Sequence, residues 1–231
     1  MSYNTILVEK DGPTMVVTLN RPESRNSFSV ELMGELAAAA KEGQDDPDIF
    51  GIIVTGADKY FASGADLNEA LALAGPKSVV DYLSNWEKLC RTMEELEIPV
   101  IAAIEGFCMT GGAEFILCCD IRVGAEGSSY GITSSRIGTV AGAGGTQRLP
   151  RIVGVGAALE IMLMGDPIQA DEAFRIGLLN KLTPKGGALA VYGRTTLSDV
   201  HFLECAARAP GPTTPRAPRR APRAARAARR P

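Results

Sequence analysis

The sequence has little that would support a metal site, a disulfide framework or a membrane span. It contains one histidine, His201, and five cysteines, none of which has CxxC spacing. Because histidine and paired cysteines supply most zinc ligands, we expect no metal centre and reduced thiols. No run reaches the roughly 20 apolar residues of a membrane helix, and the N-terminus lacks the pattern of a secretory signal. We therefore expect a cytoplasmic protein with no membrane partner.

Acidic residues are missing from the end of the chain. Residues 205–231 contain eight arginines and no Asp or Glu, set mainly among alanine and proline. The preceding part therefore holds all 27 acidic residues and 16 of the 24 basic ones, which disfavours nucleic acid as its partner. We divide the chain into a domain at 1–190 and an atypical, disordered basic tail at 191–231. A reading-frame shift in a GC-rich gene would explain this tail; an arm for nucleic acid or acidic membranes is the functional alternative.

Apolar runs and turn residues predict alternating strands and helices. Residues 5–9 and 15–19 predict a hairpin, and the short apolar runs at 50–55 and 100–104 predict strands buried on both faces. Apolar residues recur at helical spacing over 82–96, which predicts a core-facing helix. This alternation is typical of an α/β fold with parallel strand pairing.

Two loops that follow the buried runs contain small residues. Residues 61–67 read Phe-Ala-Ser-Gly-Ala-Asp-Leu, and residues 106–112 end in Gly111-Gly112, where a helix is predicted to begin. Ligands of open α/β sheets gather at the carboxyl ends of strands, and helix N-termini offer unpaired N–H groups. If an amide of Ser63 or Gly64 meets that of Gly111, the pair would form an oxyanion hole. Ordinary tight turns are the alternative interpretation.

Glu114 lies about one turn after Gly111 in an otherwise apolar helix. Burial would raise its pKa toward a range useful for acid–base work. The alternative is a structural ion pair with Arg122 or Arg148, and the sequence leaves both open.

Two other features do not indicate a site. The glycine-rich run at 142–147 lacks the GxGxxG and GxxxxGK[ST] patterns, so it does not predict a nucleotide-phosphate loop. His201 has no triad partner at a suitable spacing, so we interpret it as incidental.

Several motifs, in order, resemble the enoyl-CoA hydratase/isomerase (crotonase) superfamily. They are NRPESRNS at 20–27, FASGADL at 61–67, IAAIEGFCMTGGAEF at 101–115, GTVAGAGGTQRLPR at 138–151 and ALEIMLMGDPIQADEAFRIGLLNKLTP at 158–184. The resemblance runs from about residue 5 to 184 and implies a crotonase-like ββα spiral core with helices. It also implies an enzyme of fatty acid metabolism that binds an acyl-CoA thioester, with coenzyme A as part of the substrate and no separate cofactor.

The resemblance assigns roles to residues of this chain. It implies that the amides of Ser63 and Gly111 form the oxyanion hole and that Glu114 is one of two catalytic glutamates. The residues implied to line the coenzyme A site are Arg25, Ser27, Gly64, Ala65, Asp66, Leu67 and Thr133.

The chain departs from the family pattern at the second glutamate, whose position is occupied by Ser134. A hydroxyl of ordinary pKa does not act as a carboxylate does at neutral pH. Hydration of a 2-enoyl-CoA, a lyase reaction, remains the leading expectation. The alternatives are double-bond isomerisation, decarboxylation of a malonyl-type thioester, C–C cleavage and a non-catalytic CoA-binding role. Glu114 with Thr133 resembles the methylmalonyl-CoA decarboxylase branch, whereas Ala65 and Ala141 replace the histidine and tyrosine found there.

The second departure is at the C-terminus. The family ends in amphipathic helices that complete the acyl pocket and build trimers or hexamers, but here the resemblance stops near Pro184. We therefore expect exposed apolar surface and a weakened or absent trimer.

Overall fold

A computed structural model describes residues 2–56 and 59–191. Of the predicted tail at 191–231, only Val191 is described, at the end of a 3-10 turn. Residues 192–231, which include His201, lie outside the described residues, so the prediction of a disordered tail stays a prediction.

The larger of two sheets has six strands. They are β1 Ile6–Asp11, β2 Thr14–Leu19, β3 Gly51–Thr55, β5 Val100–Ile104, β7 Ile121–Ala125 and β10 Lys181–Thr183, in the order β1-β2-β3-β5-β7-β10. The first two strands form the predicted antiparallel hairpin, with Ile6 opposite Leu19, and all other neighbours pair in parallel. The α/β class and the parallel pairing are confirmed.

A second, smaller sheet is formed by short strands that the apolar runs of the sequence did not predict. Its strands are β4 Tyr60–Ala62, β6 Phe107–Met109, β8 Ser129–Gly131 and β9 Ile168–Gln169, in that order. Each of the first three follows directly after a strand of the larger sheet, and these three pair in parallel. The chain therefore makes two strands before most helices, which is the ββα repeat implied by the resemblance.

Seven helices of the described residues surround these sheets. They are α1 Val30–Asp45, α2 Leu67–Leu71, α3 Pro76–Glu95, α4 Gly111–Ile116, α5 Gly145–Val153, α6 Val155–Met164 and α7 Ala170–Arg175. Short 3-10 turns occupy Pro22–Ser24, Ser134–Ile137 and Leu189–Val191. Helix α4 begins at Gly111, as predicted.

The core explains why β3 and β5 are apolar at nearly every position. Ile52 and Val54 belong to the main core, which α1 and α3 cover, whereas Ile53 and Ile101 face the other side of the sheet. There they pack with Ala188, near the end of the described chain. A strand with both faces covered needs apolar side chains on both.

No helix in the described ranges is both long and apolar enough to cross a membrane. Within the same residues, no group of three His, Cys, Asp or Glu side chains could hold a metal ion.

Candidate active site

Parallel pairing of β4 with β6 brings the two small-residue loops side by side. Ala62 of β4 is in register with Cys108 of β6, so residues 63–66 and Thr110 leave the sheet at the same edge. A Cβ built on Gly111 would lie 3.1 Å from the Ala65 nitrogen, and one built on Gly64 would lie 3.6 Å from the Gly111 nitrogen. The loops therefore touch through backbone atoms, as the oxyanion-hole hypothesis requires.

The amide of Ser63 is not available to a substrate in this structure, so the prediction for that residue is wrong. Its N–H donates to the Arg25 carbonyl at 3.0 Å, and its hydroxyl donates to the Ser24 carbonyl at 3.1 Å. By contrast, the N–H groups of Ala65 and Gly111 have no acceptor among residues 2–56 and 59–191. The two amides that can meet one oxygen are those of Ala65 and Gly111.

Gly111 could not be replaced by a larger residue without displacing its neighbours. A Cβ there would come within 2.7 Å of the Trp86 ring of α3. That ring is buried and stacks on Phe28, with 5.1 Å between the ring centroids. Trp86 therefore forms a rigid aromatic wall beside the Gly111 amide.

Thr110 holds the turn that presents Gly111. Its φ is +46°, which is costly for a β-branched residue, and its N–H donates to the Gly131 carbonyl at 2.6 Å. Its hydroxyl lies 2.9 Å from that of Thr133. Thr133 thus supports the loop through Thr110, although we predicted it to contact coenzyme A.

Glu114 is almost completely buried, with a relative exposure of 2%. Its Oε2 accepts a hydrogen bond from the Gly145 N–H at 2.9 Å. Burial raises the pKa of Glu114 to about 7, although the hydrogen bond from the Gly145 amide by itself lowers it. A carboxyl group with this pKa can both take and return a proton at neutral pH.

The alternative interpretation of Glu114 as part of an ion pair is wrong. The Arg122 guanidinium donates to the carbonyls of Leu178 and Cys119. The Arg148 guanidinium pairs instead with Glu94 of α3. Among the described ion pairs, none includes Glu114.

Ser27 and Asp66 point into the protein and do not line an open binding surface. Arg21, which the sequence analysis did not select, binds the Asp66 Oδ2 at 3.0 Å and the Ser27 hydroxyl at 3.1 Å. Asp66 also caps α2 by accepting from the amides of Asn68 and Glu69. Although burial alone would raise it, the bonds from Arg21 and these amides lower the pKa of Asp66. These two residues therefore shape the loop rather than contact coenzyme A directly.

Arg25 and Leu67 are the exposed members of the predicted set. Arg25 has a left-handed backbone with φ of +55° and a solvent-exposed side chain. Leu67 begins α2 and is 62% exposed. Both are accessible to a ligand lying along the 63–67 loop.

Ser134 is the first residue of a 3-10 turn and is buried, with 3% exposure. It directly follows Thr133, which contacts the Gly111 loop through Thr110.

Comparison with known proteins identifies the family. The sequence profile described as enoyl-CoA hydratase/isomerase matches residues 9–197. The chain belongs to this family.

Three relatives illustrate the likeness. A protein of Mycobacterium tuberculosis named as a probable enoyl-CoA hydratase is 36% identical over 209 residues, covering 90% of this chain and 80% of the relative. A crotonyl-CoA hydratase of Syntrophomonas wolfei is 39% identical over 183 residues, covering 79% of this chain and 70% of the relative. The crystal structure of an enoyl-CoA hydratase from Bacillus anthracis superposes with a TM-score of 0.78 at 34% identity, covering 88% of this chain and 77% of the other.

Sequence reasoning missed three residues of this site. They are Ala65 as a backbone donor, Arg21 as the partner of Asp66, and Gly145 as the donor to Glu114. An amide donor leaves no side-chain signal, so only the contact between loops distinguishes Ala65 from Ser63. Arg21 lies in the family motif at 20–27 without an assigned role, and its partner Asp66 is 45 residues away. Gly145 lies in the glycine-rich run that was set aside because it lacks a nucleotide-binding pattern.

Proposed function

We propose that this family member acts on an acyl-CoA thioester and most readily hydrates a 2-enoyl-CoA. The observation that carries the proposal is the pair of amides of Ala65 and Gly111, which have no acceptor within the described ranges, together with the buried Glu114 on the helix that Gly111 begins. Two amides that hold one oxygen stabilise the negative charge that forms on a thioester carbonyl. The relatives named as hydratases support the same reaction.

The hydration step uses Glu114 as the proton carrier. The carboxylate takes a proton from water while the oxygen of that water bonds to the β-carbon of the enoyl group. The electron pair of the double bond moves toward the thioester, whose oxygen becomes an enolate oxygen between the Ala65 and Gly111 amides. Glu114 then returns the proton to the α-carbon, and the enolate collapses to the 3-hydroxyacyl thioester. A pKa of about 7 suits a group that serves as base and then as acid.

Coenzyme A is part of the substrate in this proposal, so no further cofactor is needed. Arg25 is an exposed residue whose backbone adjoins the 63–67 loop, since its carbonyl accepts a hydrogen bond from the Ser63 amide. A phosphate group of coenzyme A is a suitable partner for that cation.

Double-bond isomerisation is the second candidate, and Ser134 favours it. Moving a double bond requires one base that removes a proton and returns it elsewhere, which Glu114 can do alone. In relatives with two catalytic glutamates, the resemblance implies that hydration divides the proton transfers between the two carboxyl groups. Decarboxylation of a malonyl-type thioester needs the oxyanion hole but no second carboxylate, so it is a third reaction to test.

The experiment is to follow the enoyl-thioester absorbance of crotonyl-CoA with the wild-type protein and with Ser134→Glu. Loss of absorbance with the wild type, and formation of 3-hydroxybutyryl-CoA, supports hydration by one glutamate. Activity only in Ser134→Glu means that the site is intact and that the natural reaction is another one, so isomerase and malonyl-type substrates follow. Inactivity of both folded proteins, without binding of the thioester, contradicts the proposal.

A further inference from the structure

The turn at residues 141–145 is held by side chains from two helices. The Ala143 carbonyl accepts from Arg148 Nη1 at 3.1 Å, and the Cys90 thiol lies 3.6 Å from the same oxygen as a donor. The other nitrogens of Arg148 bind Glu94, with Nε to Oε1 at 2.6 Å and Nη2 to Oε2 at 3.0 Å. Arg148 therefore joins α3, the turn and α5.

This turn is what contacts Glu114. Gly144 has a left-handed φ of +101°, and a Cβ there would lie 1.8 Å from Arg148 Nη1. The next residue, Gly145, donates its N–H to Glu114 Oε2 at 2.9 Å. A Cβ on Gly145 would lie 3.0 Å from that oxygen. The arrangement permits only glycine at both positions without displacement of Arg148 or of Glu114.

We propose that Arg148, clamped by Glu94, is a positioning residue that fixes the 141–145 turn and thereby orients the Glu114 carboxylate toward the Ala65 and Gly111 amides. Arg148 does not touch Glu114 through an ion pair, so it acts through the Ala143 carbonyl and the Gly145 amide. The inference rests on the proposed function for its catalytic meaning, but the positioning itself can be measured without turnover.

The charges around Glu114 determine the direction of the expected effect. Burial is the largest influence and raises the pKa of Glu114, whereas the backbone hydrogen bonds of Gly145 and Ala143 and the charge of Arg148 lower it. Glu94 on α3 balances part of the Arg148 charge. The Cys118 thiol of the segment after α4 is neutral, because its contact with Cys90 and its burial raise its pKa. Releasing the turn therefore weakens the backbone hydrogen bonds that favour the carboxylate, and replacing Arg148 with glutamine also removes its charge.

The test is the titration of Glu114 by NMR in protein labelled with carbon-13 at the glutamate carboxyls, with the signal assigned by its loss in Glu114→Gln. Arg148→Gln is expected to move the Glu114 midpoint to higher pH. Arg148→Lys is expected to move it in the same direction by a smaller amount, because lysine keeps the positive charge but lacks the forked guanidinium that joins Glu94 to the Ala143 carbonyl. Arg175→Gln is the matched control, since Arg175 makes a two-contact pair with Glu172 on the exposed α7. It should leave the midpoint unchanged.

An unchanged midpoint in folded Arg148→Gln and Arg148→Lys proteins would overturn the inference. If Arg148→Gln does not fold, Arg148→Lys alone decides, because it keeps the positive charge at this position. With an active substrate, kcat for Arg148→Gln should fall about tenfold to a hundredfold with little change in KM. A shifted midpoint in a protein that turns over no thioester would support the positioning role and contradict the proposed function.

Discussion

At the scale of single residues, the site depends on one carboxyl group placed where water does not stabilise its charge. Glu114 is buried on α4, has no ion-pair partner among the described residues and accepts a hydrogen bond from the Gly145 amide. The sequence indicated this residue because a lone acid interrupts an apolar helix. It could not decide between catalysis and an ion pair, since each of the two arginines has a partner more than 50 residues away, Leu178 for Arg122 and Glu94 for Arg148.

Glu114→Gln should abolish turnover while sparing thioester binding, because glutamine keeps the shape but has no carboxyl group that can take and return a proton. In the wild type, kcat/KM should rise with pH through about 7, where the carboxylate forms. A spectrophotometric pH profile and a binding titration measure the two effects. Unchanged activity in the variant would remove Glu114 from the mechanism.

The same residue should make stability depend on pH. The folded pKa of about 7 lies above the ordinary value of 4.5, so the folded protein holds a proton that the unfolded chain has lost between these values. Stability should therefore fall as pH rises from about 4.5 to 7, by roughly 3 kcal/mol for this group. Urea unfolding at pH 5 and pH 8 should show this decline in the wild type and a smaller one in Glu114→Gln. Equal declines in both proteins would mean that the carboxyl is not held neutral.

Gly111→Ala tests the backbone donors. The added Cβ would meet the Trp86 ring at 2.7 Å and the Ala65 nitrogen at 3.1 Å, so it enters the space between the two amides. We expect kcat to fall about 10²–10³-fold, with about 1–3 kcal/mol lost in stability. Gly34→Ala is the control, because a Cβ there meets nothing within 4 Å and lies in the exposed part of α1. It should retain activity and gain about 0.5–1 kcal/mol. Full activity of Gly111→Ala would argue against this pair of amides.

At the scale of elements, the three-residue strands β4 and β6 position the two loops that contain Ala65 and Gly111. The buried strands β3 and β5 could be predicted, because five consecutive apolar or small residues bounded by turn residues leave few alternatives. Strands β4 and β6 could not, because three residues show no period. Their pairing sets the contact between Ala65 and Gly111, which is why sequence reasoning selected the correct loops but the wrong donor, Ser63.

Asp66 joins α2 to the Arg21 segment and should be a stability residue. Asp66→Ala loses both the ion pair and the α2 cap, and we expect a cost of about 2–4 kcal/mol. Asp66→Asn should cost less, because an amide oxygen still caps the helix. Since the folded pKa is lowered, this stabilisation should be present above about pH 4 and lost as pH falls through the folded value. Urea unfolding of the three proteins measures it, and equal costs for the two variants would show that the cap contributes nothing.

At the scale of the whole molecule, helix α6 is apolar on sides that the described chain leaves uncovered. The large apolar side chains exposed there and on α7 are Val155, Leu159, Leu163, Met164 and Phe174. The expectation of exposed apolar surface is therefore met on these helices. The predicted cause of this exposure, the loss of the C-terminal helices of the family, stays a prediction because it concerns residues beyond 191. The oligomeric state also stays a prediction.

We predict that the protein does not form the stable trimer implied by the family resemblance. Its exposed apolar helix should instead give weak, concentration-dependent association. Size-exclusion chromatography with light scattering at several concentrations measures this, and Leu163→Lys should reduce whatever association occurs. A clean trimer or hexamer that persists on dilution would contradict the prediction.

The central claim is that the Ala65 and Gly111 amides hold the oxygen of an acyl-CoA thioester. Its most direct test is the infrared frequency of the thioester carbonyl in bound crotonyl-CoA labelled with carbon-13 at that position. We predict a lower stretching frequency on the protein than in water, retained in Gly34→Ala and reversed toward the free value in Gly111→Ala. A bound carbonyl that absorbs at the frequency of free crotonyl-CoA would contradict the account.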